Sequence, residues 1–223
     1  MAARQGGGET GAVSMQPPPI PASPHGGVDA SVLPQDTFGT KSLAFWGTIG
    51  FMVIEAATIA LCLATYIYLR RNFDAYPPPG IASPGLVVPT INLVLMLLSL
   101  PLARAAYRAA KAFDKPGILR TTGLLLVVGV AILVLRAFEL DALNVRWDSN
   151  AYGSAVWFTV GFHTLLLILD FAESLAIFLI FARAKEEEKH YGDVADDVLY
   201  WAFVVFLWVP VYLAVIIAPH FVL

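Results

Sequence analysis

Residues 46–71 read WGTIGFMVIEAATIALCLATYIYLRR, and from Leu43 to Leu69 the only formally charged side chain is Glu55. A helix rises about 1.5 Å per residue, and the hydrocarbon core of a bilayer is about 30 Å thick. A run of this length and character crosses a membrane as a helix, and it puts Glu55 near the middle of the crossing. An unpaired, ionised carboxyl there costs at least about 2–3 kcal/mol. A partner or a proton must offset that cost.

The rest of the chain follows the same pattern. Of 223 residues, 58% are hydrophobic and only 14% charged, against about 25% charged in an ordinary soluble domain. Five apolar runs lie at 43–69, 86–103, 118–138, 154–182 and 197–218. Each is close to or above the roughly 20 residues that a spanning helix needs. The second is the shortest, bounded by Pro84, Pro89 and Pro101. Between the runs stand FDAYPPPGIASPG, KAFDKPG, DALNVRWDSNAYG and AKEEEKHYGDVADD, rich in breakers or charge. The expected fold is an all-α membrane protein, a five-transmembrane-helix bundle over 43–223. Residues 1–42 are Gly/Pro-rich without an apolar face and read as a disordered tail. The tail has no uninterrupted hydrophobic region and no cleavage site of the kind a secretory signal carries.

Composition also excludes classes of function. A net charge of −3, without a basic stripe interleaved with aromatics, leaves no footprint for nucleic acid. Cys62 is the lone cysteine, so an intrachain disulfide is impossible. Orientation follows from the distribution of Lys and Arg. Arg104, Arg108, Lys111, Lys115 and Arg120 fall on the same side as Arg183, Lys185 and Lys189. The opposite side holds Arg70, Arg71 and Arg146. The first side reads as cytoplasmic, with the N-terminal tail, and five crossings then put the C-terminus outside.

Few residues within the spans could carry chemistry. On a helix turning about 100° per residue, Thr48, Glu55 and Cys62 share a face, with Tyr66 close by. Such a small, mildly polar stripe packs inside a bundle. Glu55 is then either a hydrogen-bonded acid that fixes packing or a proton-linked or subunit-contact site. In the fourth span His163 and Asp170, seven residues apart, project together, with Glu173 toward one edge and Thr159 toward the other. The stripe reads as a contact with a partner helix or water, or as a proton relay. Seven residues of rise, about 10 Å, are too many for one metal ion to bind both His163 and Asp170. Glu139 follows Arg136 at i+3, the spacing of a local ion bridge. His163 is the only histidine within a span, and there is no cysteine pair and no Gly-rich phosphate loop. No redox cofactor is expected in this chain.

These stretches resemble subunit III of the haem–copper respiratory oxidases, the cytochrome c and quinol oxidases, in its shorter five-helix bacterial form. The resemblance runs in order over residues 43–218. It rests on Trp46, Glu55 and YIYLR at 66–70 in the first span, and on Pro89, Asn92 and Ser99 in the second. In the third, Glu139 matches the glutamate of the family's Q-x-x-E pattern, with Arg136 where the family has glutamine. In the fourth, SAVWFTVGFHTLLLI places His163 at the first histidine of T-G-F-H-G-L-H-V, and in the last YWAFVVFLW is similar to Y-W-H-F-V-D-V-V-W. Leu166, Ala202 and Val205 stand where that pattern has His, His and Asp, whereas Asp170 and Glu173 lie outside it. The chain therefore resembles a divergent member.

The resemblance implies two groups of spans separated by a lipid-holding cleft. It implies no haem or copper in this chain, those centres belonging to partner subunits, and bound phospholipid. It also implies partnership with oxidase subunits I and II in a bacterial cytoplasmic membrane. The chain would support assembly, sustained oxygen reduction and proton pumping by subunit I without carrying the catalytic centre. Two alternatives stay open: an accessory subunit of a nitric oxide reductase, and an independent proton-coupled transporter using Glu55, His163 and Asp170.

Overall fold

A computed structural model describes residues 37–72, 75–183 and 186–221. Five long helices account for most of it: α1 (Leu43–Arg71), α2 (Val87–Lys111), α3 (Lys115–Asp141), α4 (Ala151–Arg183) and α5 (Glu188–Val211). A π-helical turn, Tyr212–Ile217, and a 3-10 turn, Ala218–His220, carry α5 onward. All five are long and apolar enough to cross a membrane. Their outward faces are hydrocarbon, as at Phe51, Ile54, Leu61, Val127, Phe138 and Phe158. A soluble protein would not leave so continuous an apolar surface open to water. This is a multi-pass membrane protein.

The helix ends lie beyond the apolar runs, for physical reasons. The second run stops near residue 103, but α2 continues to Lys111. Its last turns bury Ala103, Ala106, Ala109 and Ala110 while Arg104, Tyr107 and Arg108 point outward. Charge ends a hydropathy run without ending a helix, because long basic side chains reach out of the bilayer from an embedded backbone. Asp114 then caps α3, its Oδ1 accepting from the Gly117 N–H at 3.1 Å. Asn150 does the same for α4 through the Gly153 N–H at 2.8 Å. The fifth helix differs most: it begins at Glu188, nine residues before the apolar run, and takes in Asp193, Asp196 and Asp197.

Contacts at the two ends fix an up-and-down course. At one end Thr37 Oγ1 donates to Glu188 at 3.2 Å, Lys111 Nζ lies 3.9 Å from the Phe38 ring centroid, and Lys115 pairs with Glu186. At the other, the Gly85 N–H donates to the Ala142 carbonyl at 2.8 Å and Ser83 Oγ to the Pro219 carbonyl at 3.3 Å. The tail expected over 1–42 lies outside the described residues as far as 36. Its last stretch is docked: Gly192 leaves room for the Thr37 carbonyl, with which a Cβ there would collide.

Inside the bilayer plane, α2 packs on α3 and α5, α4 on α3 and α5, and α1 on α4 and α5. The α4–α5 pair therefore forms the middle, and its residues dominate the core, with Tyr152, Val156, Val160, Val204, Trp208 and Val211 at or near complete burial. Between lipid-bathed helices such packing is held by van der Waals fit and hydrogen bonds rather than by a hydrophobic drive. The resemblance implied two groups of spans parted by a cleft. Here the five helices pack continuously around α4 and α5. What opens is a groove of about 760 Å³ between the start of α1, α2 and α5.

Candidate functional site

Three groups of polar side chains on the five helices include the residues that the sequence singled out. The first joins α2, α3, α4 and α5 in one fully buried cluster. Arg136 Nη1 lies 3.1 Å from Glu139 Oε2, with side-chain exposures of 1% and 0%. That is an ion pair by distance, without the alignment of a hydrogen bond. Asn92 Nδ2 donates to the same Oε2 at 3.0 Å. Arg136 Nη2 is 3.3 Å from His163 Nδ1, and the guanidinium carbon sits 3.7 Å from the Trp208 ring centroid. His163 Nε2 lies 3.0 Å from the Val204 carbonyl. A carbonyl only accepts, so Nε2 carries the hydrogen; an arginine only donates, so Nδ1 accepts. His163 is thereby fixed as a neutral imidazole with both nitrogens engaged, which leaves no lone pair for a metal. The i,i+3 bridge expected from the sequence is present, at the centre of a network that spans four helices. Arg136 Nε, Glu139 Oε1, Asn92 Oδ1 and Trp208 Nε1 have no hydrogen-bond partner among the described residues.

The second place answers for Glu55. The carboxyl faces inward as its helical position predicts, in a buried row with Ile59, Cys62 and Tyr66. Tyr200 OH donates to its Oε1 at 2.9 Å, across 145 residues of chain. Oε2 has no partner among the described residues. Glu55 and Tyr200 line a groove of about 350 Å³ with Thr48, Phe51, Leu169 and Glu173. Glu173 itself is exposed at the rim of that groove.

In the third place Asp170, which the sequence put on a contact with a partner helix or water, meets a residue that the sequence reading did not single out. Asp170 faces Asp197 of α5, both buried, across a small cavity that Ser174 also lines. Ser174 Oγ donates to the Asp197 carboxylate, 2.8 and 3.0 Å from its two oxygens. One turn further along α5, Trp201 Nε1 donates to Ser99 Oγ of α2 at 2.8 Å. The face shared by His163 and Asp170 therefore splits into two centres. His163 belongs to the arginine cluster and Asp170 to an acidic one. A signal for Asp197 was available: Asp193, Asp196, Asp197, Tyr200 and Trp201 are spaced as one face of a helix that starts earlier than the apolar run. Among the described residues no group of three His, Cys, Asp or Glu side chains could hold a metal ion.

Outside the spans the charges are ordinary ion pairs. Arg146 Nη2 lies 2.8 Å from Asp148 Oδ2, and the bond from its guanidinium holds the Asp148 carboxyl below its usual range. Lys115 does the same for Glu186.

Comparison with known proteins places this arrangement. The model of the family described as cytochrome c oxidase subunit III matches residues 51–218, from the first turns of α1 to the end of the helical region. Cytochrome c oxidase subunit 3 of Synechocystis sp. is 24% identical over 182 residues, covering 79% of this chain and 76% of the relative. That of Thermostichus vulcanus is 25% identical over 177 residues, covering 78% of this chain and 87% of the relative. That of Loxodonta africana is 25% identical over 141 residues, 63% of this chain and 54% of the relative. The matched region contains each of the three polar centres, and the chain belongs to the cytochrome c oxidase subunit III family.

Proposed function

We propose that this chain is the accessory, non-redox subunit of a respiratory haem–copper terminal oxidase in a bacterial cytoplasmic membrane, beside subunits I and II. It supports assembly, holds phospholipid, and sustains oxygen reduction and proton pumping by subunit I. The observation that carries this reading is how the three residues picked out by the resemblance are used. Glu55 is held by Tyr200, Glu139 by Arg136 and Asn92, and His163 by Arg136 and the Val204 carbonyl. Each is spent on another part of the same chain. The set knits the helices together, which suits a structural partner. Membership of the family supports association with other oxidase subunits.

The 760 Å³ groove supports the lipid part of the proposal. Phe45, Leu100, Leu199 and Phe206 give it apolar walls, and Arg104, Arg108 and Lys111 lie along the same groove. Acyl chains suit the first set and a phosphate headgroup the second. The excess of Lys and Arg at that end supports a cytoplasmic position for it. The Glu55 groove, open to the membrane and floored by a half-satisfied carboxyl, is the candidate proton-linked or subunit-contact site. The test is oxygen consumption over many turnovers in membranes lacking this chain. Complementation by the wild-type chain should restore a steady rate, and an Arg104→Ala/Arg108→Ala chain should restore the initial rate but not its persistence. Identical traces with and without the chain contradict the proposal.

A further inference from the structure

Asp170, Ser174 and Asp197 line a cavity of about 20 Å³, which is space for one water molecule. Most of its remaining wall is hydrocarbon, from Leu125, Gly129, Ile132 and Leu133 of α3 to Leu167 and Phe171 of α4. Ser174 Oγ spends its one hydrogen on Asp197. Asp170 is 3% exposed, and its Oδ1 has no hydrogen-bond partner among the described residues. Among the described residues no Lys, Arg or His lines the cavity. The charged groups that face the pair from the packed elements are also acidic: Glu173 on α4 and Glu55 on α1. Further along α5 lie Asp193 and Asp196. At this level α3 presents apolar side chains, and α2 presents Ser99, taken by Trp201. The cations Arg104, Arg108 and Lys111 line the separate groove that Asp196 also lines.

Two adjacent carboxylates in such surroundings cannot both stay ionised without a countercharge. The chain supplies none at the cavity, so neutralisation comes from solution. A hard cation collects about six or more oxygen ligands, and here three side chains stand alone in an otherwise apolar wall. A proton needs only the two carboxyls. We propose that Asp170 and Asp197 hold one exchangeable proton between them, with Asp170 as the carboxylic acid, Asp197 as the carboxylate that accepts from Ser174, and one water in the cavity meeting Asp170 Oδ1. Asp196, next in sequence to Asp197, lines the separate groove at the basic end of the bundle. The inference concerns this chain alone and does not rest on the oxidase reading.

The experiment is attenuated-total-reflection infrared spectroscopy of the full chain, purified in mild detergent with whatever subunits accompany it. Aspartate carboxyls are labelled with ¹³C, and spectra are taken in water, in heavy water, and with sodium replaced by choline. The wild type minus Asp170→Asn difference should show the loss of one ¹³C-sensitive protonated-carboxyl stretch. That band should move down in heavy water, be indifferent to sodium, and be shifted but retained in Ser174→Ala. A band unaltered by Asp170→Asn overturns the proposal. So does one that appears only when sodium is withdrawn, the mark of a cation site, and so does one that never responds to heavy water. Should Asp170→Asn fail to fold, the wild-type and Ser174→Ala spectra decide. A wild-type spectrum without any ¹³C-sensitive protonated-carboxyl band, or a band that Ser174→Ala leaves in place, contradicts the shared proton.

Discussion

Replacing Glu139 with glutamine keeps its shape and its bond from Asn92 but strips the countercharge from Arg136. The guanidinium would then lie 1% exposed among helices, with only His163 Nδ1 and the face of Trp208 for company. Removing one partner of a buried ion pair costs about 3–5 kcal/mol, because the other charge is left unpaired in a medium that cannot solvate it. Arg136→Gln leaves Glu139 in the mirror position and should cost about 3 kcal/mol. The double variant removes both charges together, and two buried amides can bond each other and Asn92. It should be no less stable than the worse single variant, so the coupling energy is about 3 kcal/mol, the upper end for residues in contact. That is about two orders of magnitude in the unfolding equilibrium. Titration with dodecyl sulfate in mixed micelles, followed by far-ultraviolet circular dichroism, measures all four proteins. Additive single effects, with a coupling below about 0.5 kcal/mol, would refute the buried-pair reasoning.

The other predictions concern the ends of the bundle and its orientation. Glu186 and Asp148 have carboxyls held below their ordinary values of 4.5 and 3.8 by Lys115 and Arg146. Groups with lowered folded-state values stabilise fully above the ordinary value and lose that contribution as pH falls through the lowered one. Acid titration should therefore loosen these loops only as pH falls below about 4.5, and Glu186→Gln should remove its share of that acid sensitivity, as followed by loop hydrogen exchange. Gly192→Ala should push the Thr37 carbonyl away, so that the Ser42 amide, now bonded to Gly39 at 2.9 Å, exchanges faster while the bundle melts unchanged. In a Cys62→Ala background, an impermeant thiol reagent on intact cells should label a cysteine at position 148 and spare one at 111; the opposite pattern reverses the orientation.

Much of this architecture was legible in the sequence, and what was not has a physical cause. Five apolar runs gave five helices, and the inward face of Glu55 followed from helical phase alone. Arg136 and Glu139 were readable as a pair because i,i+3 is a local relation. The partners that complete each centre are not local. Tyr200 reaches Glu55 across 145 residues and Asn92 reaches Glu139 across 47. No period along one helix specifies which helix comes to lie beside it. Asp197 was hidden for another reason. Three aspartates at 193, 196 and 197 depress hydropathy and read as loop, yet they lie on α5, where Asp196 and Asp197 are buried. Against the pattern of the resemblance, the acidic positions also differ in their place along the bundle. Leu166 and Val205 stand where the resemblance has His and Asp. Asp170 lies one turn beyond the first and Asp197 two turns before the second. On antiparallel helices both displacements run toward the same end.

The proposed function requires this chain to be a haem-free partner within a haem-bearing complex. A tagged full-length chain, extracted from its native membranes in mild detergent, should bring haem absorbance with it in fixed proportion to protein. A harsher detergent should then strip the chain away colourless, leaving the haem with the larger subunits. A colourless assembly at the first step, or haem that stays with this chain at the second, would contradict it.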